Sequence, residues 1–195
     1  MTGTSPFVRQ CRVVIRERRL LSTIEEIPIG ADPEADMAYL AANPAGHGPA
    51  LSYEGGSLIG PAEICRFLDL LGDGPSLSGN GSAQRLAVTE RLGFALAGTE
   101  LAVRLMHETK RPAAERSALW LRRWRAGLDR TLDRLESLRT ESTSLDLGEI
   151  ATVIGLTYLD LRLPHIDWRD SRPLLARTQV SLERRDSFKT THPAT

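Results

Sequence analysis

The chain has 195 residues, 41% of them hydrophobic and 26% charged, with 25 basic and 25 acidic side chains. That length buries a full core in one or two domains, and the balanced charge supplies no net field to hold nucleic acid or an anionic membrane surface. No run reaches the roughly 20 apolar residues of a spanning helix, and the opening MTGTSPFVRQCRVVIRERR lacks the apolar stretch of a signal peptide. Cys11 and Cys65 stand apart without CxxC spacing, which indicates neither a metal site nor a disulfide framework. A cytoplasmic protein with reduced thiols and no nucleic-acid or membrane partner is expected.

Pro6 suits a first helical turn, where its missing N–H would have had no partner. Phe7, Val8, Cys11, Val14 and Ile15 then lay one apolar stripe along a helix to Arg19. Thr23 to Ile29 partly alternates, through Ile24, Ile27 and Ile29, between Pro and Gly, and predicts a short strand. Met37 to Ala42 predicts a helical turn or two ending at Asn43-Pro44. Ala50 to Tyr53 and Ser57 to Ile59, parted by Glu54-Gly55-Gly56, predict a β-hairpin whose glycines supply positive φ. Pro61 to Leu71 predicts a helix with Ile64, Phe67, Leu68 and Leu71 on one face. The run GDGPSLSGNG at 72–81 is too rich in glycine to build a core, and marks a boundary between a domain at 1–72 and one at 82–195, with 73–81 as linker.

Beyond the boundary the pattern is helical. Ala83 to Glu108 carries Leu86, Leu92, Leu96, Leu101 and Leu105. Glu115 to Arg139 carries Leu121, Trp124, Leu128, Leu132, Leu135 and Leu138, a core stripe in which Trp124 is expected to pack. Arg122, Arg123 and Arg125 read as its solvated side. Asp146 and Glu149, three apart, form a capping-box-like pair. They open a helix through Ile150, Val153, Ile154 and Tyr158 that is apolar nearly all round, as a central buried helix is. A last helix follows Pro173, and the tail from Thr190 is expected to fray.

In this order the residues resemble a known family. Ser5-Pro6-Phe7-Val8-Arg9 with Cys11-Arg12-Val13-Val14, AANPAGHGPAL (Ala41 to Leu51), Ile64-Cys65-Arg66-Phe67-Leu68-Asp69, SLDLGEIATVIGLTYLDLRLP (Ser144 to Pro164), Asp167-Trp168-Arg169 and Ser187-Phe188 are similar to segments of bacterial glutathione S-transferases. The resemblance implies an α+β thioredoxin-like domain followed by an all-α domain. It also implies glutathione as co-substrate, a small electrophile as acceptor, and a homodimer. In such enzymes the glutathione thiolate is the nucleophile, stabilised by a hydroxyl at the positive end of the first helix. Ser5 stands at that position, with Thr4 beside it; Ser5 is equally a favoured N-cap ahead of Pro6. Gly48-Pro49 matches the family's cis proline, before which the backbone pairs with the cysteinyl group. His47 replaces the usual Lys or Gln near the glycyl carboxylate, and is otherwise an exposed loop histidine. The acceptor pocket is implied between the domains, with Met106 and His107 as candidates.

Two departures stand out. Family members place an acidic residue and then Ser after the hairpin to bind the γ-glutamyl carboxylate, whereas this chain has Gly60-Pro61, which offers neither hydroxyl nor N–H at Pro61. Glu63 nearby has the wrong sign for a carboxylate, but suits the α-amino group. Only Met1 to Thr4 precede Ser5, so the family's first strand is expected to be truncated, with either a start further upstream or a rearranged sheet. Without it the neighbouring strand is expected to lack a ladder partner. These departures leave a second reading open, a scaffold or binding protein that kept the fold and lost the glutathione site.

Overall fold

The computed structural model describes residues 4–30, 32–139 and 145–193, and among these it has eight helices and one two-stranded sheet. They form two units. One holds the described residues of Met1–Gly79 and of Arg185–Thr195; the other is Asn80–Arg184.

In the first unit, α1 (Pro6–Glu17) begins with Pro6 and buries Cys11, Val13, Val14 and Ile15. A 3-10 turn at Pro33–Ala35 leads into α2 (Met37–Ala42), whose N-cap Asp36 accepts from the Tyr39 amide at 2.9 Å. Strands β1 (Ala50–Tyr53) and β2 (Gly56–Ile59) pair antiparallel with Ala50 opposite Ile59 and Tyr53 opposite Gly56. Then α3 (Pro61–Leu71) buries Ile64, Cys65 and Leu68, with α1 packed against it.

The strand expected at Thr23 to Ile29 does not form: residues 24–30 carry no regular structure, and Ile27 is 74% exposed. A strand needs a neighbour to receive its N–H and C=O groups, and among the described residues β1 bonds only to β2. Pro28 removes one donor as well. The segment is held through side chains instead, with Arg12 donating to Glu26 at 2.8 Å and Arg16 also bonded to it.

The glycine-rich run after α3 is tied down rather than loose. Arg18, 5% exposed, donates to the carbonyls of Asp69, Gly72, Gly74 and Pro75. Asp69 accepts from the amides of Leu77 and Ser78 and from the Ser76 hydroxyl, and Leu77 is 6% exposed. A Cβ on Gly72 would lie 2.6 Å from the Arg18 carbonyl oxygen, so a side chain there collides with backbone.

The tail is also held. Helix α8 (Asp186–Lys189) buries Ser187 and Phe188. Arg185 donates to both carboxylate oxygens of Glu17 at 2.8 and 2.7 Å, and Arg9 donates to the Phe188 carbonyl at 3.1 Å. Fraying from Thr190 is not observed through Thr191, which is 1% exposed and bonded to the Ser187 carbonyl. Ser187 and Thr191 read as surface residues, but their hydroxyls are satisfied by the Glu17 carboxylate and the Ser187 carbonyl, which allows burial.

The second unit contains α4 (Gly81–Lys110), α5 (Ala118–Ser137), α6 (Leu147–Arg162) and α7 (Pro173–Leu182). Every residue of α6 from Leu147 to Leu159 is buried, and α4 is its main neighbour. Each fully buried Leu, Ile or Val there contributes about 1.5–3 kcal/mol. Asp146 caps α6 through the Glu149 amide at 2.9 Å, and Arg91 binds Asp146 at 2.7 Å while Arg139 pairs with Glu149. Leu128, Leu132 and Leu135 carry the core stripe of α5. Leu86 of α4, by contrast, is 71% exposed. Trp124 is half-buried and stacks on Trp120 at 5.5 Å.

Candidate functional site

The first unit brings most of the sequence-derived candidates to one end of α1. Ser5 is half-buried at the N-cap, and its Oγ accepts a hydrogen bond from the Val8 amide at 3.4 Å. A hydroxyl has two lone pairs and one proton. Capping uses a lone pair, so the proton of Ser5 stays available to an acceptor beyond the helix end, where the helix dipole is positive. The two readings of Ser5 are therefore compatible. Thr4 lies beside it, half-buried in a 3-10 turn.

The turn from α2 to β1 comes to the same place. Gly48-Pro49 is a cis peptide, Pro49 is buried, and Gly48 lies against the first turn of α1: a Cβ built on it would be 3.4 Å from Val8 Cγ2 and 3.7 Å from the Tyr39 hydroxyl. Asn43, fully buried, organises this turn. Its side-chain amide donates to the His47 carbonyl at 2.7 Å and to the Tyr39 hydroxyl at 3.1 Å, and its Oδ1 accepts from the Ala45 amide at 3.2 Å. Burial pushes the Tyr39 phenol up from its ordinary value, against the lowering effect of the bond from Asn43. The His47 side chain is exposed. Sequence reasoning took Asn43 only as a helix end. The signal it carried was a buriable amide three residues before a Gly in a turn, where Asn bonds the backbone two residues on.

At the start of α3, Gly60 is the N-cap with φ 91°, a left-handed conformation that glycine adopts without strain, and it offers no side-chain cap. Glu63 fills that role electrostatically. Its exposed carboxylate folds back so that Oε2 would lie 2.6 Å from a Cβ on Gly60, and Arg66 is 3.8 Å from its other oxygen. A negative charge in the first turn complements the helix dipole. The positive end of α3 thus already carries an anion.

A cavity of about 400 Å³ lies beneath these residues and is shared with them only through Val8 and Pro49. Its walls are Cys11 and Ile15 of α1, the irregular segment Ile24 to Ile29, Ala50 and Leu51 of β1, and Ile64 and Leu68 of α3. Segment 24–29 and β1 both line it, and among the described residues they do not pair with each other. Ser5, His47 and Glu63 do not line it. In the second unit, Met106 is buried in α4 and His107 is exposed.

The family model described as "Glutathione S-transferase, N-terminal domain" matches residues 4–71. A glutathione S-transferase from Methylobacillus flagellatus KT, solved with GSH bound, is 30% identical with a TM-score of 0.89, the match covering 98% of this chain and 96% of that one. The chain belongs to the glutathione S-transferase family. A family member from Pseudomonas fluorescens Pf-5, solved with bound glutathione, is 27% identical with a TM-score of 0.90, over 99% of this chain and 97% of that one. The uncharacterized GST-like protein YibF of Escherichia coli (strain K12) is 29% identical over 196 residues, 97% of this chain and 95% of that protein. The family's α+β thioredoxin-like first part and helical second part are both present, the sheet among the described residues being one hairpin. Among the described residues, no helix is long and apolar enough to cross a membrane.

Proposed function

We propose that the chain is a cytoplasmic, homodimeric glutathione transferase that binds glutathione at the N-terminal end of α1 and directs its thiolate at a small electrophile. The observation that carries this reading is that Ser5 and Gly48 both meet Val8, Ser5 through the Val8 amide and Gly48 against Val8 Cγ2. It brings a hydroxyl proton and a helix N-terminus near the half-buried turn that ends at Gly48-Pro49. Glutathione bound in relatives over nearly their whole length supports the same ligand here.

The residues fit glutathione in part. Ser5 donates to the thiolate sulfur, and the α1 dipole adds to the stabilisation of that anion. Thr4 offers a second hydroxyl. Gly48, ahead of Pro49, presents backbone groups to the cysteinyl unit. His47, when protonated, pairs with the glycyl carboxylate. Glu63 receives the α-ammonium of the γ-glutamyl unit. No side chain in the first turn of α3 suits the γ-glutamyl carboxylate, so binding is expected to be weak. Losing two hydrogen bonds to a charged group, at about 1.5–3 kcal/mol each, lowers affinity about a hundredfold or more.

A second reading is favoured by one observation, the Glu63 carboxylate folded over Gly60. It repels an incoming carboxylate, as expected of a scaffold that has given up glutathione. Glutathione-dependent arylation of an activated aryl halide separates the two readings. Turnover that falls with Ser5→Ala supports the transferase; none above the uncatalysed rate, from folded protein at millimolar glutathione, overturns it.

A further inference from the structure

Two thiols meet in the core of the first unit, on helices that carry the candidate site but outside that site. Cys11 of α1 and Cys65 of α3 are both reduced, and their sulfurs are 3.8 Å apart. They lie 54 positions apart in sequence, so the contact is made by the packing of α1 on α3. Neither is fixed by chain neighbourhood. A disulfide bond is about 2.05 Å long, so the pair is short of bonding by about 1.75 Å, a distance that side-chain rotation and small helix adjustment can close.

The two sulfurs differ in access. Cys11 is 6% exposed and forms part of the wall of the 400 Å³ cavity, whereas Cys65 is 0% exposed and does not line it. Burial, the bond that Cys65 donates to Cys11 and the negative charges of Asp69 and Glu63 push the Cys65 thiol up. Cys65 is thus kept as a protonated thiol against the only neighbour it can react with among the described residues.

We propose that Cys11 and Cys65 form a peroxide-reactive thiol pair, in which Cys11 is oxidised through the cavity and Cys65 resolves it as an intramolecular disulfide. The Cys11 sulfur attacks one peroxide oxygen, the O–O bond breaks, and Cys11 sulfenic acid and water result. The Cys65 sulfur then attacks the Cys11 sulfur, the S–O bond breaks, and the departing hydroxide takes the Cys65 proton as a second water. Two thiols are oxidised to one disulfide, and one peroxide is reduced to two waters. The product joins α1 to α3 across a long loop of chain and restrains the unfolded state accordingly.

The test uses the full chain with hydrogen peroxide as probe, followed by intact mass and non-reducing peptide mapping. Wild type is expected to lose the mass of two hydrogens, to yield a Cys11–Cys65 cross-linked peptide, and to unfold at higher urea than its reduced form. Dithiothreitol should reverse all three. Cys65→Ser is expected to stop at a Cys11 sulfenic acid trapped by dimedone, and Cys11→Ser to resist peroxide while folded. A wild-type chain that keeps both thiols, a disulfide found only between chains, or Cys65 oxidised as fast in Cys11→Ser as in wild type would overturn the proposal.

Discussion

The Val8 amide donates to Ser5 Oγ at 3.4 Å, so the residue proposed to hold the thiolate is also the N-cap of α1. The two roles predict separable losses. Ser5→Ala should cost about 1 kcal/mol of stability by urea unfolding, the usual worth of a cap. It should also lower kcat for glutathione arylation well before it raises the glutathione Kd. Ser5→Thr, which keeps the hydroxyl, should retain most of both. Lower stability with unchanged kcat would leave Ser5 a cap and nothing more.

Glu63 supplies a second prediction, because its two possible roles have opposite signs. If it receives the α-ammonium of glutathione, Glu63→Gln weakens glutathione binding about tenfold, the loss of one charged hydrogen bond. A glutathione analogue without the α-amino group should then bind both proteins alike. Tighter glutathione binding to Glu63→Gln would mean that the carboxylate blocks the end of α3, and would favour the scaffold reading.

A third prediction concerns the segment after α3. Gly72→Ala drives a Cβ to 2.6 Å from the Arg18 carbonyl oxygen, a backbone clash expected to cost about 1–3 kcal/mol. Thermal unfolding should shift down accordingly, whereas Gly55→Ala, whose Cβ meets nothing within 4 Å, should lose only the strain of its positive φ. Equal shifts would contradict the tied loop drawn around Arg18 and Asp69.

Fold and site were not equally legible in the sequence. The helices were readable because apolar spacing and terminators agreed. Pro6, Pro61 and Pro173 each stand at a first helical position, and Asp146 caps α6 as its spacing to Glu149 implies. The strand at Thr23 to Ile29 was misread because alternation reports a pattern, while a strand also needs a neighbour, which no local pattern supplies. The run at 72–81 read as a linker, and the bonds that hold it were not legible because they come in part from Arg18, more than fifty positions away. Ser5 and Gly48 could be singled out as candidates through their motif, whereas Asn43 was missed because its bonds to Tyr39 and His47 exist only once the turn is folded. The fold-back of Glu63 was likewise invisible before Gly60 took its positive φ.

Acid stability gives a fourth prediction. Burial raises the Asp160 carboxyl, but hydrogen bonds from Arg169, Gln179 and Trp168 outweigh it and hold the group below its ordinary 3.8. Stability from Asp160 is therefore present above about pH 3.8 and is lost as pH falls through its lower folded value. Glu149 has the opposite sign: burial raises it above 4.5 despite Arg139 and Arg91, so its contribution is present below 4.5 and lost as pH rises through the folded value. Urea unfolding against pH should show a shallower acid limb for Asp160→Asn than for wild type. An unchanged limb would contradict the lowering.

The central claim, that the end of α1 is a glutathione site, is tested most directly by calorimetric titration of the folded chain with glutathione. Weak but saturable heat at one site per chain is expected, unchanged in stoichiometry by Ser5→Ala. No heat up to millimolar glutathione would contradict the claim and leave a glutathione S-transferase fold without its ligand.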